Sequence, residues 1–121
     1  MIKNVLGTIL ESCCDELNTG YFRNGKCETC DNDFGMHTVC AEMSGDFLEF
    51  SKNNGNDLST PVDAYNFPGL TAGDRWCICL PRWIAALEEG LAPKILLRST
   101  NYLVLEHVPL EVLEKYAIRD D

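Results

Sequence analysis

The stretch from Gly73 to Gly90, Gly-Asp-Arg-Trp-Cys-Ile-Cys-Leu-Pro-Arg-Trp-Ile-Ala-Ala-Leu-Glu-Glu-Gly, constrains the fold more than any other part of the chain. Trp76 to Leu80 is a continuous apolar run bounded by Gly73-Asp74 and Pro81, which predicts a central, buried strand over 74–80. Pro81 suits a first helical turn. Trp83, Ile84, Leu87 and Leu91 then recur at helical spacing, and Gly90 closes the helix. A strand that turns straight into a helix needs cover on both, so the rest of the chain must supply it.

Three further stretches can do so. Asn4 to Leu10 and Lys94 to Arg98 are apolar enough for strands, and His37 to Met43 reads as another. Ser44 is a good N-cap for a helix that carries Asp46 in its first turn, Phe47 and Phe50 on its core side, and Asn54-Gly55 at its end. Met43 can staple against Leu48. Tyr102 to Val108 fits a strand or a short helix capped by Thr100, and Pro109 to Tyr116 reads as a last helix. The alternation predicts a single α+β domain over residues 1–121, with helices packed on a small mixed sheet. Two long irregular segments interrupt it, Glu11 to Phe34 and Gly55 to Ala72. Loops of that length in a small domain are functional or pinned by something.

A net charge of -9, with ten Lys and Arg scattered singly, excludes a nucleic-acid backbone as partner. No 18-residue apolar run occurs, so no membrane span is expected. The N-terminal apolar stretch is too short for a signal peptide, and the expected address is cytoplasmic. Thiols there are kept reduced. The seven cysteines, at 13, 14, 27, 30, 40, 77 and 79, are odd in number and are expected to be mostly free, many of them packing as small hydrophobes.

Several groupings can carry chemistry. Cys77 and Cys79, two apart on a strand, point to one face. A nucleophilic thiol needs a base or cation beside it and an acid to orient that base. Cys40, Cys77 and Cys79 are candidate thiols and His37 the better candidate base of the two histidines. Asp57, Asp74 or Asp33 can orient the imidazole, Asp57 being the first choice. Asn56, Ser59 and Thr60, in the polar run Gly55 to Pro61, are candidate ligand contacts, as are Asp74, Cys79 and Arg82. Arg82 would take an anionic group. The same polar run also suits a loop that bonds to itself. Cys27-Glu-Thr-Cys30 has the gap of a zinc half-site, with His37 and Cys40 following. The full order is that of no familiar zinc module, however, and strand geometry turns His37 and Cys40 to opposite faces. No metal is therefore expected, and no cofactor is indicated.

The motifs also carry a resemblance. Asn4-Val5-Leu6-Gly7, Thr19-Gly20-Tyr21 with Arg23 and Gly25, His37-Thr38-Val39-Cys40, Gly55-Asn-Asp-Leu-Ser-Thr-Pro61, Phe67-Pro68-Gly69-Leu70, Gly73-Asp74, Trp76-Cys77 with Cys79, and Arg82-Trp83 stand in one order. Together they resemble the bacterial domain of unknown function 2237 family over nearly the whole chain. That resemblance implies no established activity. It places Cys13, Cys27, Cys40, Cys77 and Cys79, but not Cys14 or Cys30, on cysteine positions of the family, and it puts Asn101 where the family tends to have histidine. The expected function is a small-molecule-binding or thiol-dependent protein with a Cys/His/Asp polar pocket, its partner a small polar molecule. The alternatives are a non-catalytic interaction or adaptor protein with packed cysteines, or a structural zinc-binding domain. The oligomeric state cannot be read from the sequence.

Overall fold

The computed structural model describes residues 1–65 and 67–118. Two strands, β1 (His37–Glu42) and β2 (Arg75–Cys79), pair antiparallel. Among the described residues, three α-helices pack around them: α1 (Gly45–Asn53), α2 (Leu80–Glu88) and α3 (Leu110–Lys115). Short 3-10 turns at Asp63–Tyr65, Leu97–Ser99 and Tyr102–Glu106 complete the helical structure of the described residues. The architecture is α+β.

The strand-to-helix unit forms as its sequence dictates. β2 is buried along its middle and runs directly into α2, whose second residue is Pro81. Trp83 is fully buried, donates its Nε1–H to the Pro93 carbonyl at 3.1 Å, and meets Tyr116 edge-on at 5.6 Å between ring centroids. α1 starts where Ser44 accepts from the Phe47 N–H at 3.1 Å. Met43, Phe47 and Leu48 join Val39, Ile78, Trp83 and Leu113 in one apolar core.

The sheet is smaller than the sequence suggests, and its two strands are antiparallel. Asn4 to Leu10 is a tight loop in place of a strand. The Asn4 amide donates to Thr8, Ile9 and Arg98, and its oxygen accepts from the Leu6 and Thr8 N–H groups, so one buried side chain takes the backbone groups a ladder would use. The 94–98 segment runs beside β1 with Ile95 bridging Ala41 on one side and, in parallel, Ala117 on the other. It stops there because the Thr100 hydroxyl accepts the Cys40 N–H and donates to the Leu96 carbonyl, closing the segment into a turn. The residues after it form a 3-10 turn capped by Asn101, not Thr100.

The expectation of mostly free thiols is overturned here. Four of the seven cysteines are paired, as Cys13–Cys40 and Cys27–Cys77. The physical reason is the long polar segment 11–34, which has little apolar surface to bury and is held against the sheet through these links. Cys14, Cys30 and Cys79 are free.

Candidate functional site

The β1–β2 register builds the site. Cys40 faces Cys77 and Val39 faces Ile78, but an irregularity at Thr38 shifts the pairing so that His37, instead of Thr38, stands opposite Cys79. An extra residue of this kind re-aims a side chain at a strand end. It removes the facing problem that a regular strand would impose, and it brings the imidazole to the thiol. His37 Nε2 lies 3.5 Å from Cys79 Sγ.

The other ring nitrogen is held just as directly. His37 Nδ1 is 2.7 Å from Asp33 Oδ1, and the His37 backbone N–H donates to Asp33 Oδ2 at 2.9 Å. The Thr29 hydroxyl donates to the same oxygen at 2.9 Å. A turn before β1 makes this reach possible, with Met36 held at a φ of 50° and its N–H donating to the Asp33 carbonyl. Such a φ is uncommon for a residue with a side chain, and strained backbone of this kind gathers at functional sites.

Charge follows geometry. Burial would raise the Asp33 carboxyl, but hydrogen bonds from the His37 ring, its backbone N–H and Thr29 outweigh that and hold it below the usual carboxylate range. The hydrogen bond to Cys79 is the largest influence on His37. Burial opposes it, Asp33 adds to it, and the imidazole is pushed up to about 9. Asp33, His37 and Cys79 thus form a line of acid, imidazole and thiol, the arrangement that activates a nucleophile.

A cavity of about 450 Å³ opens beside His37, walled by Tyr21, Arg23, Tyr65, Phe67 and Trp76 with Asn56 and Asp57 among its polar members. Arg23 lies over the Trp76 ring at 5.6 Å and donates to the Asn18 carbonyl. A smaller hollow of about 50 Å³ shares His37, Asn56, Leu58 and Trp76 with it and reaches Cys79. Aromatic walls with a few polar groups are the usual make-up of a small-molecule site.

A family model for uncharacterised proteins conserved in bacteria, DUF2237, matches residues 3–117. The chain belongs to the DUF2237 family. No curated protein matches it. Among the described residues, no helix is long and apolar enough to cross a membrane.

The cysteines divide between bonded and free. Cys13, Cys27, Cys40 and Cys77 are the four in disulfides, whereas Cys79 keeps a free thiol beside His37. Cys40 and Cys77 therefore have no thiol to offer in this state. Cys30 is exposed and free whereas Cys27 is bonded to Cys77, so in this state the pair does not offer the two thiols of a half-site.

The carboxylate on His37 is that of Asp33, and Asp57 makes other bonds. Asp57 accepts from the Ser59 and Thr60 N–H groups and from the Thr60 hydroxyl, which hold its carboxyl below the usual range. This is a loop bonded to itself, with Asn56 and Asp57 on the cavity wall and Ser59 and Thr60 exposed. Gly69 seats the loop. Its φ is +79°, and a Cβ there would fall 2.4 Å from the Ser59 carbonyl oxygen. Asp74 accepts from the N–H and hydroxyl of Thr71, and Arg82 donates to the Asn54 carbonyl at the end of α1.

Sequence reasoning passed over Gly35 and Thr29. A Cβ on Gly35 would meet Cys79 Sγ at 3.0 Å and His37 Cε1 at 3.2 Å, although its φ is one that alanine can adopt. Gly35→Ala should therefore push thiol and imidazole apart. We expect the alkylation rate of Cys79 to drop about 10-fold, as small misplacements at reacting groups do. The unfolding free energy should move by less than about 1 kcal/mol. Timed alkylation beside a urea titration checks both.

Proposed function

We propose that this protein is a thiol-dependent, small-molecule-processing protein in which Cys79 is the nucleophile. His37 is its proton partner and, when protonated, the positive charge beside a thiolate. Asp33 orients the imidazole. The observation that carries this reading is the cross-strand placement of His37, with one ring nitrogen 3.5 Å from Cys79 Sγ and the other 2.7 Å from Asp33 Oδ1. The adjoining cavity supports a small partner, with Arg23 and His37 available for an anionic group and Trp76 and Tyr65 for an apolar or planar one. A net charge of -9 goes with a partner that is not nucleic acid. A cytoplasmic address belongs to the proposal, since a reducing compartment keeps the Cys79 thiol available.

Limiting iodoacetamide followed by peptide mapping tests the assignment. Three thiols compete, and Cys30 is the exposed one. We expect Cys79 to be labelled first, and His37→Ala to slow that labelling by about 10²-fold, the low end of what a positioned acid–base group contributes. Labelling in order of exposure, with no effect of His37→Ala, would remove the basis of the proposal.

A further inference from the structure

We infer that the four cysteines now joined as two disulfides form, once reduced, a closed tetrathiolate site for one zinc ion. Cys13, Cys27, Cys40 and Cys77 are nearly or fully buried and cluster apart from the main apolar core. The sulfurs of Cys13, Cys27 and Cys77 all lie within 4.8 Å of one another. The fourth, that of Cys40, is bonded to Cys13, and Cys40 is the cross-strand partner of Cys77. Three sulfurs therefore sit within 4.8 Å of one another, and that of Cys40, bonded to Cys13, is the outlying fourth that must swing in once its bond is opened.

Zinc bound by four thiolates has Zn–S bonds of about 2.3 Å, so the edges of its tetrahedron are about 3.8 Å. Opening the disulfides lets each bonded pair separate from about 2 Å to that edge, a change side-chain rotation can supply. The Cα atoms of the pairs are 5.6 and 5.3 Å apart, leaving the backbone in place. Thiolates are the ligands that select a soft or borderline ion over magnesium or calcium. Every position would be filled by protein, which makes the site structural, not catalytic.

The chemistry balances with a dithiol reductant. Two dithiol molecules reduce the two disulfides to four thiols and leave as two cyclic disulfides. Zinc then binds as the four thiols release four protons. In a compartment that keeps thiols reduced, metal would replace the disulfides in tying segment 11–34 to the sheet.

The test uses the unmodified chain, reduced without oxygen, with one equivalent of zinc, then alkylated and weighed. Zinc-loaded protein should retain one ion and take up three alkyl groups, at Cys14, Cys30 and Cys79, whereas metal-free reduced protein should take up all seven. Cobalt in place of zinc should give the ligand-field bands of a tetrahedral thiolate site. These readouts hold even if the reduced chain folds only with metal, since zinc is then present during refolding. Failure to retain zinc at equal stoichiometry, or protection that falls on Cys30, Cys79 or His37 in place of these four residues, would overturn the inference.

Discussion

Trp83→Ala should lower the unfolding free energy by about 3–5 kcal/mol, the range for removing a buried aromatic side chain. The side chain is the largest of those fully buried, and it couples α2 to the 93–95 segment and to Tyr116. Its loss leaves a cavity between helix and sheet and an unpartnered carbonyl at Pro93. In a domain whose total stability is on the order of 5–15 kcal/mol, that is a large share. A urea titration with fluorescence from the remaining Trp76 reads it. A midpoint like that of the parent would show that the strand-to-helix unit does not carry the core.

The second large effect belongs to the covalent links. In the oxidised, metal-free protein, replacing both Cys27 and Cys77 by alanine should cost about 4 kcal/mol by the loop-closure relation, because the link spans a separation of 50 residues. For the separation of 27 residues at Cys13–Cys40 the same relation gives about 3.5 kcal/mol. Guanidinium titrations without reductant, in the presence of a chelator, measure both. The parent treated with a dithiol under the same conditions should fall at least as far as the Cys27/Cys77 variant. An unchanged midpoint would mean that segment 11–34 is held by something other than its sulfurs.

Local signals in the sequence were reliable where a single residue decides the outcome. Ser44 caps α1, Pro81 opens α2, and Gly55 and Gly90 take the left-handed conformations at the helix ends. They failed where one polar side chain takes up backbone groups both near and far along the chain. The strand expected over 94–98 is cut short by Thr100, and the one expected over 4–10 is drawn into a loop by Asn4.

The site shows the same division. His37 and the Cys77/Cys79 pair are legible as chemistry-bearing residues, because their types are few and their spacing is distinctive. Their meeting depends on a one-residue shift at Thr38, which alternation in the sequence does not reveal. The choice among Asp33, Asp57 and Asp74 rests on turns too irregular to read in advance. One signal was available for Asp33: it lies four residues before His37, close enough for a turn to bring the two together. Likewise, the sequence separations of 27 and 50 carry no pairing rule, so the disulfides appear only with the fold.

The central claim, that Cys79, His37 and Asp33 act as one unit, is tested most directly by following the His37 ring through a pH titration by NMR. The hydrogen bond to Cys79, together with Asp33, predicts a midpoint of about 9, against the ordinary 6.5. The sign for stability follows. A raised folded-state value makes the His37 contribution fully present below 6.5 and lost as pH rises through about 9. Cys79→Ala should bring the midpoint down toward the ordinary value, and Asp33→Asn should lower it as well. A His37 midpoint near 6.5 in the parent, unchanged by Cys79→Ala, would contradict the account.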